Sequence, residues 1–271
     1  MATTAALHPD PTDARLPIGD RLRAWRQRRR LSQLDLALEA EISQRHLSFV
    51  ESGRAAPSRE MVLRLAATLD VPLRERNALL LSAGYAPVYP ERPLDAPAMA
   101  AARNAVDRIL RAHMPFPALA VDRHWRIVAA NDGVAPLLEG VEEPSLLAPP
   151  INGMRLSLHP RGLAPRIANL PRWRAHLLER LRRQVDASGD RILAALLEEV
   201  RAFGAGPEEE RGAEADDGVA VPMELDTPRG RLSFLSTTMV FGTPVEVTLS
   251  ELAIEAFYPA DAETAALLTG R

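Results

Sequence analysis

Between Ser32 and Ser58 the chain reads SQLDLALEAEISQRHLSFVESGRAAPS, and the spacing within this stretch permits few folds. Ser32 and Ser43 stand where helix N-caps belong, each immediately before apolar residues at helical spacing. Leu36 and Ala37, with Ile42, Leu47 and Val50, make a seam that would lock two short helices at a fixed angle, and Ala37 is small where they approach. Gln44, Arg45 and Ser48 fall on the opposite, exposed face of the second helix. The helical spacing extends on both sides, from Ile18 to Ala83, and predicts five helices over about 18–29, 32–40, 43–52, 58–69 and 73–83.

A seam behind one helix and polar side chains in front of it are what reading a DNA groove requires. Gln hydrogen-bonds adenine in two places and Arg does the same to guanine. Gln33, at the start of the first helix, stands where side chain and helix dipole could both hold a phosphate. Charge supports a polyanionic partner only locally. The chain carries a net −3, yet between Arg15 and Arg54 nine Arg stand against five acids, about +4. A helical protein-interaction module with a solvated Arg-rich face is the plainer alternative.

The motif LSQLDLALEAEISQRHLSFVESGRAAPS resembles the helix-turn-helix of the Xre/Cro family of repressors, and the likeness extends over residues 18–70. It rests on Leu31-Ser32-Gln33, Leu36-Ala37, Ile42-Ser43, Leu47-Ser48, Glu51, Gly53 and Pro57-Ser58 together. The resemblance implies an ion pair between Glu51 and Arg26, with Arg26 also near a phosphate. It implies DNA contacts by Arg26, Gln33, Ser43, Gln44, Arg45, Ser48 and Arg54, and a homodimer on a palindromic operator, since one such unit covers only a half-site. Two positions depart from the family pattern. Glu41 stands in the turn where Gly is usual, which costs about 1 kcal/mol if φ is positive. Phe49 occupies a position often polar, and either touches a thymine methyl or packs inward.

The rest of the chain changes character. GYAPVYPERPLDAP has no periodicity and reads as a linker over 86–98. Residues 1–15 read as a disordered arm, and GAGPEEERGAEADDG as a low-complexity mobile loop. A helix is expected near 97–113. ALAVDRHWRIVAAN alternates like a hairpin, and 161–203 is helical with an apolar face of Leu177, Leu178, Leu181, Ile192, Leu196 and Val200. Three strands follow, VAVPMELDT, GRLSFLSTTMVF and VEVTLSELAIEAFYP, with turns at 228–230 and 242–244. The fold class is therefore an all-α helix-turn-helix domain over 16–85 and an α+β domain with an antiparallel sheet over 99–271.

RERNALLLSAGYAP, PFPALAVDRHWRIVAAN, GMRLSLHPRGL and IANLPRWRAHLLERLRRQ occur in the order and spacing of the MmyB-like transcription regulators, which this chain resembles over nearly its whole length. That resemblance implies a PAS-like C-terminal domain with five strands, helices over one face, and a pocket for a small hydrophobic ligand, with fatty acids the leading candidates. Val121, Trp125, Ile127, Phe234, Leu235, Met239 and Phe241 are candidates to line it. Asn131, Arg155, His159 and Asn169 are candidates for its polar end, because a buried carboxylate without a partner is expensive. The bland reading makes the apolar residues ordinary core, Asn131 a turn cap and Arg155 a surface residue. Trp173 with Leu177 and Leu181 is either core or a dimer face, and RWRAHLLERLRRQ either a solvated face or a source of phosphate contacts.

Other classes fit less well. There is no cysteine, so no thiolate metal site or disulfide exists, and His113, His124, His159 and His176 make no helical metal pair. No Gly-x-Ser-x-Gly, phosphate loop or His-Glu-x-x-His occurs, so neither a catalytic site nor a cofactor or metal is expected. Neither a signal peptide nor an apolar run of roughly 18 residues is present, which favours the cytoplasm and no membrane. Two alternatives stay open: a C-terminal domain that only dimerises or binds protein, and an N-terminal domain that binds RNA.

Overall fold

The computed structural model describes residues 16–204 and 220–270. The expected arm at 1–15 and the acidic loop at 205–219 lie outside the described residues. Two compact units divide the chain: Met1–Glu91 with Val245–Val247, and Arg92–Pro244 with Thr248–Arg271.

The first unit holds α1 (Ile18–Arg28), α2 (Gln33–Glu39), α3 (Gln44–Glu51), α4 (Arg59–Thr68) and α5 (Leu73–Ser82). Serines start three of them: the hydroxyls of Ser32, Ser43 and Ser58 accept from the backbone N–H of Asp35, His46 and Met61. Asp35 returns the bond to the Ser32 N–H, closing a capping box. All five helices end alike, with one left-handed residue and the next N–H bonded back to a carbonyl of the last turn. Those left-handed residues are Arg30, Glu41, Gly53, Asp70 and Gly84, so three of the five ends lack glycine.

Glu41 has φ 54°, as its place in the turn between α2 and α3 demands, and the Ile42 N–H reaches the Ala37 carbonyl at 2.9 Å. A Cβ in this region is strained and the Glu41 side chain is exposed. Glu41→Gly is therefore expected to stabilise the unit by up to about 1 kcal/mol, after the greater freedom of glycine in the unfolded chain is subtracted. An upward shift of the urea midpoint would show it; a downward shift would mean that the turn stores no strain.

Leu22, Leu36, Leu47, Val50, Val62, Leu65, Leu69, Leu79 and Leu80 form the core of this unit, each fully buried. α1 passes very close to the end of α3. A Cβ on Gly19 would lie 2.6 Å from the carbonyl oxygens of Val50 and Glu51, so only glycine fits there.

The second unit begins with α6 (Ala100–Ala112), preceded by a 3-10 turn at Pro97–Met99. Strands β1 (Ala118–Val121) and β2 (Ile127–Ala130) form the expected hairpin, and the short helices α7 (Ala135–Leu138) and α8 (Gly153–Leu158) follow. The long helical stretch is two helices, α9 (Leu170–Ser188) and α10 (Arg191–Ala202). They break at Gly189, which is left-handed at φ 66°, and Asp190 caps α10 by accepting from the N–H groups of Ile192 and Leu193. The buried face of α10 is Leu193, Leu196, Leu197 and Val200; Ile192, expected on that face, is 40% exposed because it lies in the first turn, just before the stripe begins.

Strands β3 (Met223–Thr227), β4 (Gly230–Val240) and β5 (Ala253–Pro259) complete a five-stranded sheet in the order β2-β1-β5-β4-β3, and every neighbouring pair is antiparallel. The third C-terminal strand was expected to begin near Val245. It begins at Ala253, because Val240 pairs with Ala253 and residues 241–252 are thereby consumed in the connection. Val247–Ser250 make a single helical turn within it. Helix α11 (Ala262–Thr269) closes the chain.

The two faces of the sheet separate by strand parity. Ala118, Ala120, Ile254 and Ala256 pack with Val106 and Leu110 of α6. Leu119, Val121 and Phe257 point the other way, toward α8, α9 and α10, where Trp173, Leu177, Leu181 and Leu196 are core. A register shift between Ala120 and Val121 brings Val121 and Ile127 to that same face.

Candidate nucleic-acid interface and ligand cavity

The helix-turn-helix is held by one buried carboxylate. Glu51, at the end of α3, has a fully buried side chain and sits among three partners. Arg26 grips it with both arms, Nε to Oε1 at 2.7 Å and NH2 to Oε2 at 2.9 Å, and its NH1 donates to the Leu31 carbonyl at 2.9 Å. Gln33 Nε2 donates to Oε2 at 2.8 Å, and Arg23 NH2 donates to the Glu51 backbone carbonyl at 2.9 Å. Burial alone would raise the Glu51 carboxyl pKa. The hydrogen bonds from Arg26 and Gln33, with the charges of Arg26 and Arg23, outweigh it and hold the pKa below the ordinary carboxylate value. The same bond raises that of Arg26.

This cluster changes the parts expected of two residues. All three guanidinium nitrogens of Arg26 bond within the protein, and the Gln33 amide nitrogen is engaged by Glu51. Both residues position the two helices before they do anything else. Ser43 caps α3 through its hydroxyl. Gln44, Arg45 and Arg54 are exposed and Ser48 is half-buried. Phe49 lies between two cations: the guanidinium carbons of Arg45 and Arg54 stand 5.4 Å and 6.0 Å from its ring centre. The aromatic ring therefore draws together one arginine of α3 and one from the turn that follows it.

In the second unit a cavity opens between the sheet and the helices. It is lined by Leu119, Val121, Trp125, Ile127, Val134, Leu137, Leu138, Met154, Leu156, Leu163, Trp173, Leu177, Met223 and Phe257, with Gly153. Ser157, Arg180, Ser236 and Glu255 are its polar members. The interior offers about 90 Å³ to the centre of a water-sized sphere. One water needs roughly 10–15 Å³ on that measure, so the space holds far more than a single water. Walls this apolar do not hold water well and suit a hydrocarbon.

Of the expected apolar lining, Val121, Trp125 and Ile127 are present. Leu235 and Met239 are not, because alternation along β4 turns them to the other face, paired with Tyr258 and Ile254. Phe234 does face the cavity side, but it is fully buried beneath Phe257, edge to face at 6.1 Å. Phe241 belongs to the α6 side of the sheet.

None of the four expected polar candidates lines the cavity. Asn131 donates to the carbonyls of Leu110 and Phe116 and accepts from the Ala118 N–H. Asn169 bridges to the Pro222 carbonyl and the Glu224 N–H. Arg155 forms a two-armed pair with Glu199 at 2.6 and 2.7 Å, partly open to solvent. His159 accepts from the Arg161 N–H and meets Phe203 edge to face.

The polar end is built instead from Arg180 and Glu255. Arg180 NH1 and NH2 donate to the two carboxylate oxygens at 3.0 and 2.5 Å, and NH2 also donates to Thr238 Oγ1 at 2.7 Å. The guanidinium lies 4.5 Å above the Trp125 ring, whose N–H donates to Gln184 Oε1 at 2.7 Å. Both residues carried a signal in the sequence. Glu255 interrupts the apolar run Ala253-Ile254-Glu255-Ala256-Phe257, and Arg180 continues the spacing Trp173, Leu177, Gln184 along α9.

Trp125 itself sits at φ 63° in the tight turn of the hairpin. Asp122 Oδ1 accepts from the N–H groups of His124 and Arg126, which fixes that turn. His124 Nε2 stands 2.9 Å from Asp190 Oδ2 and ties the turn to the start of α10. Burial opposes charge on Asp190, but the hydrogen bond and charge of His124, with Arg123 and the Ile192 N–H, bring its carboxyl down to about 2. The cavity wall bearing Trp125 is thus anchored through a carboxylate.

A helix-turn-helix unit followed by an α+β unit with an apolar cavity defines a class, the ligand-regulated transcription regulators. Residues 22–76 match the helix-turn-helix family, and residues 102–269 match the MmyB-like transcription regulator ligand binding domain. The second match spans more than half of the chain, and the protein belongs to the MmyB-like transcription regulators. No curated protein matches the chain. Among the described residues no helix is long and apolar enough to cross a membrane.

Proposed function

We propose that this protein is a cytoplasmic regulator that binds a palindromic operator as a homodimer and is controlled by a small acyl molecule, a fatty acid or a derivative of one, held in a PAS-like domain. It acts by binding and catalyses no reaction. The observation that carries the ligand reading is the cavity between sheet and helices, apolar on nearly every wall and closed at one point by polar groups. Five antiparallel strands with helices over the cavity face support the PAS-like description.

α3 lies in the major groove in this reading, with Gln44, Arg45 and Ser48 toward base edges and Arg54 toward a phosphate. Arg45→Ala is expected to weaken specific binding about 5- to 150-fold, the equivalent of about 1–3 kcal/mol for one lost two-armed base contact. Arg54→Ala should lower affinity for all sequences alike and reduce the salt dependence by about one phosphate. Gel shifts on palindromic and scrambled duplexes over a salt series check both. Equal loss on both duplexes for Arg45→Ala would remove it from base reading.

Native mass spectrometry of the purified protein tests the ligand. A co-purifying acyl mass supports the sensor. A protein that stays empty and binds no amphiphile would favour a C-terminal domain that serves protein contacts alone.

A further inference from the structure

We propose that the cavity selects a neutral head group, and that Glu255 is the residue that sets this preference against carboxylates. The inference rests on the reading that the cavity holds an amphiphile and narrows it at the polar end, favouring uncharged amphiphiles, acyl esters among them, over a free fatty acid.

Among the described residues lining the cavity, Arg180 and Glu255 alone are charged. They neutralise each other across two hydrogen bonds, and Thr238 bridges them, accepting from Arg180 and donating to Glu255 Oε1 at 3.1 Å. Glu255 is 3% exposed and projects from β5, flanked by Ile254 and Ala256. His176 lies one turn before Arg180 on α9 and feels the charges of both Arg180 and Glu255. Burial first, then the charges of Arg180 and Arg183, lower its pKa from 6.5, so it brings no positive charge at neutral pH. Arg183 points to Glu179 on the exposed side of α9.

A carboxylate entering here has two choices. It can share Arg180 with Glu255, which sets two anions against one cation in an apolar surround. Or it can displace Glu255, which strands a buried carboxylate on β5. Both are unfavourable. A neutral head meets neither difficulty. Arg180 has five N–H donors and uses three of them in the bonds to Glu255 and Thr238, so donors remain for a hydroxyl or ester oxygen. Glu255 retains lone-pair capacity for a hydroxyl proton. A long-chain alcohol or an acyl ester thus adds hydrogen bonds while the ion pair stays intact.

The test is calorimetry on the delipidated full-length protein at pH 7.5, with decanol, methyl decanoate and decanoate as probes of nearly equal apolar length. The expected result is that the two neutral probes bind at least tenfold more tightly than decanoate. In Glu255→Gln the order should invert, because Arg180 then carries an uncompensated charge. Tighter binding of decanoate than decanol by the unaltered protein would overturn the inference, and this comparison needs no variant to fold. An unchanged preference in a folded Glu255→Gln would overturn the role of Glu255. If none of the three probes binds, the amphiphile reading of the cavity itself fails, and this proposal with it.

Discussion

Glu51→Ala is expected to destabilise the helix-turn-helix unit by about 3–5 kcal/mol, because it removes one member of a buried ion pair and leaves the other uncompensated. Arg26, only 12% exposed at its side chain, would keep a charge with no carboxylate, and Gln33 would lose its acceptor. A domain of this kind has about 5–15 kcal/mol in total, so much of its margin would go. DNA binding should fall with the folded fraction, because the Glu51 carboxylate holds Arg26 and Gln33 in place. Hydrogen exchange of α1 to α5 against denaturant would measure the loss in this unit separately from the other. A second change, Arg26→Leu, should restore part of the stability; strict additivity of the two would mean that the pair is not coupled.

The same carboxylate sets an acid limit. The Glu51 pKa is lower in the folded protein than in the unfolded chain, so the unfolded chain binds the proton first as pH falls. The stabilisation is fully present above the ordinary carboxylate value of about 4.3 and is lost as pH falls through the folded value. Glu51→Gln should flatten the acid limb of the stability curve.

Trp173→Ala is expected to cost about 3–5 kcal/mol in the second unit and to change what the cavity accepts. Trp173 is 4% exposed, stacks on His176 at 5.6 Å, and donates from its indole nitrogen to Ser157 Oγ at 3.0 Å. It is both core and cavity wall. Truncation therefore removes packing and lengthens the cavity in one step, so the variant should melt lower but be rescued by amphiphiles too bulky for the unaltered protein. Thermal melts with linear and branched probes measure both effects. A melt within about 1 kcal/mol of the parent would show that neighbours collapse into the space.

Much of the first unit was legible because its signals are local. The serine caps and the helical spacing came from residue types at short, fixed offsets, whereas the Glu51–Arg26 pair, 25 residues apart, was implied only by the family resemblance. The turn at Glu41 was legible too, although nothing local required that two other helices should end on left-handed Arg30 and Asp70. The second unit was legible in outline. Its hairpin, helices and antiparallel strands follow from alternation and spacing, and the register of β5 did not, since Val240 pairs with Ala253 only once the whole connection is laid out.

The polar end of the cavity shows where local reasoning stops. Asn131, Arg155, His159 and Asn169 are residue types suited to a carboxylate, but each satisfies its own loop, strand or helix neighbour. Leu235 and Met239 are apolar enough to line a pocket, but strand parity turns them away.

The sequence by itself determined where the helices of the first unit lie, which face of α3 is polar, and that the chain changes from helical to alternating spacing after its proline-rich stretch. These depend on neighbours within about one turn or one strand pleat. The tertiary structure alone decided that Arg180 and Glu255, 75 residues apart, meet over Trp125. Strand order brings β5 to the centre of the sheet and parity turns Glu255 inward, so this charged pair at the cavity is a product of long-range pairing that no short window of residues contains.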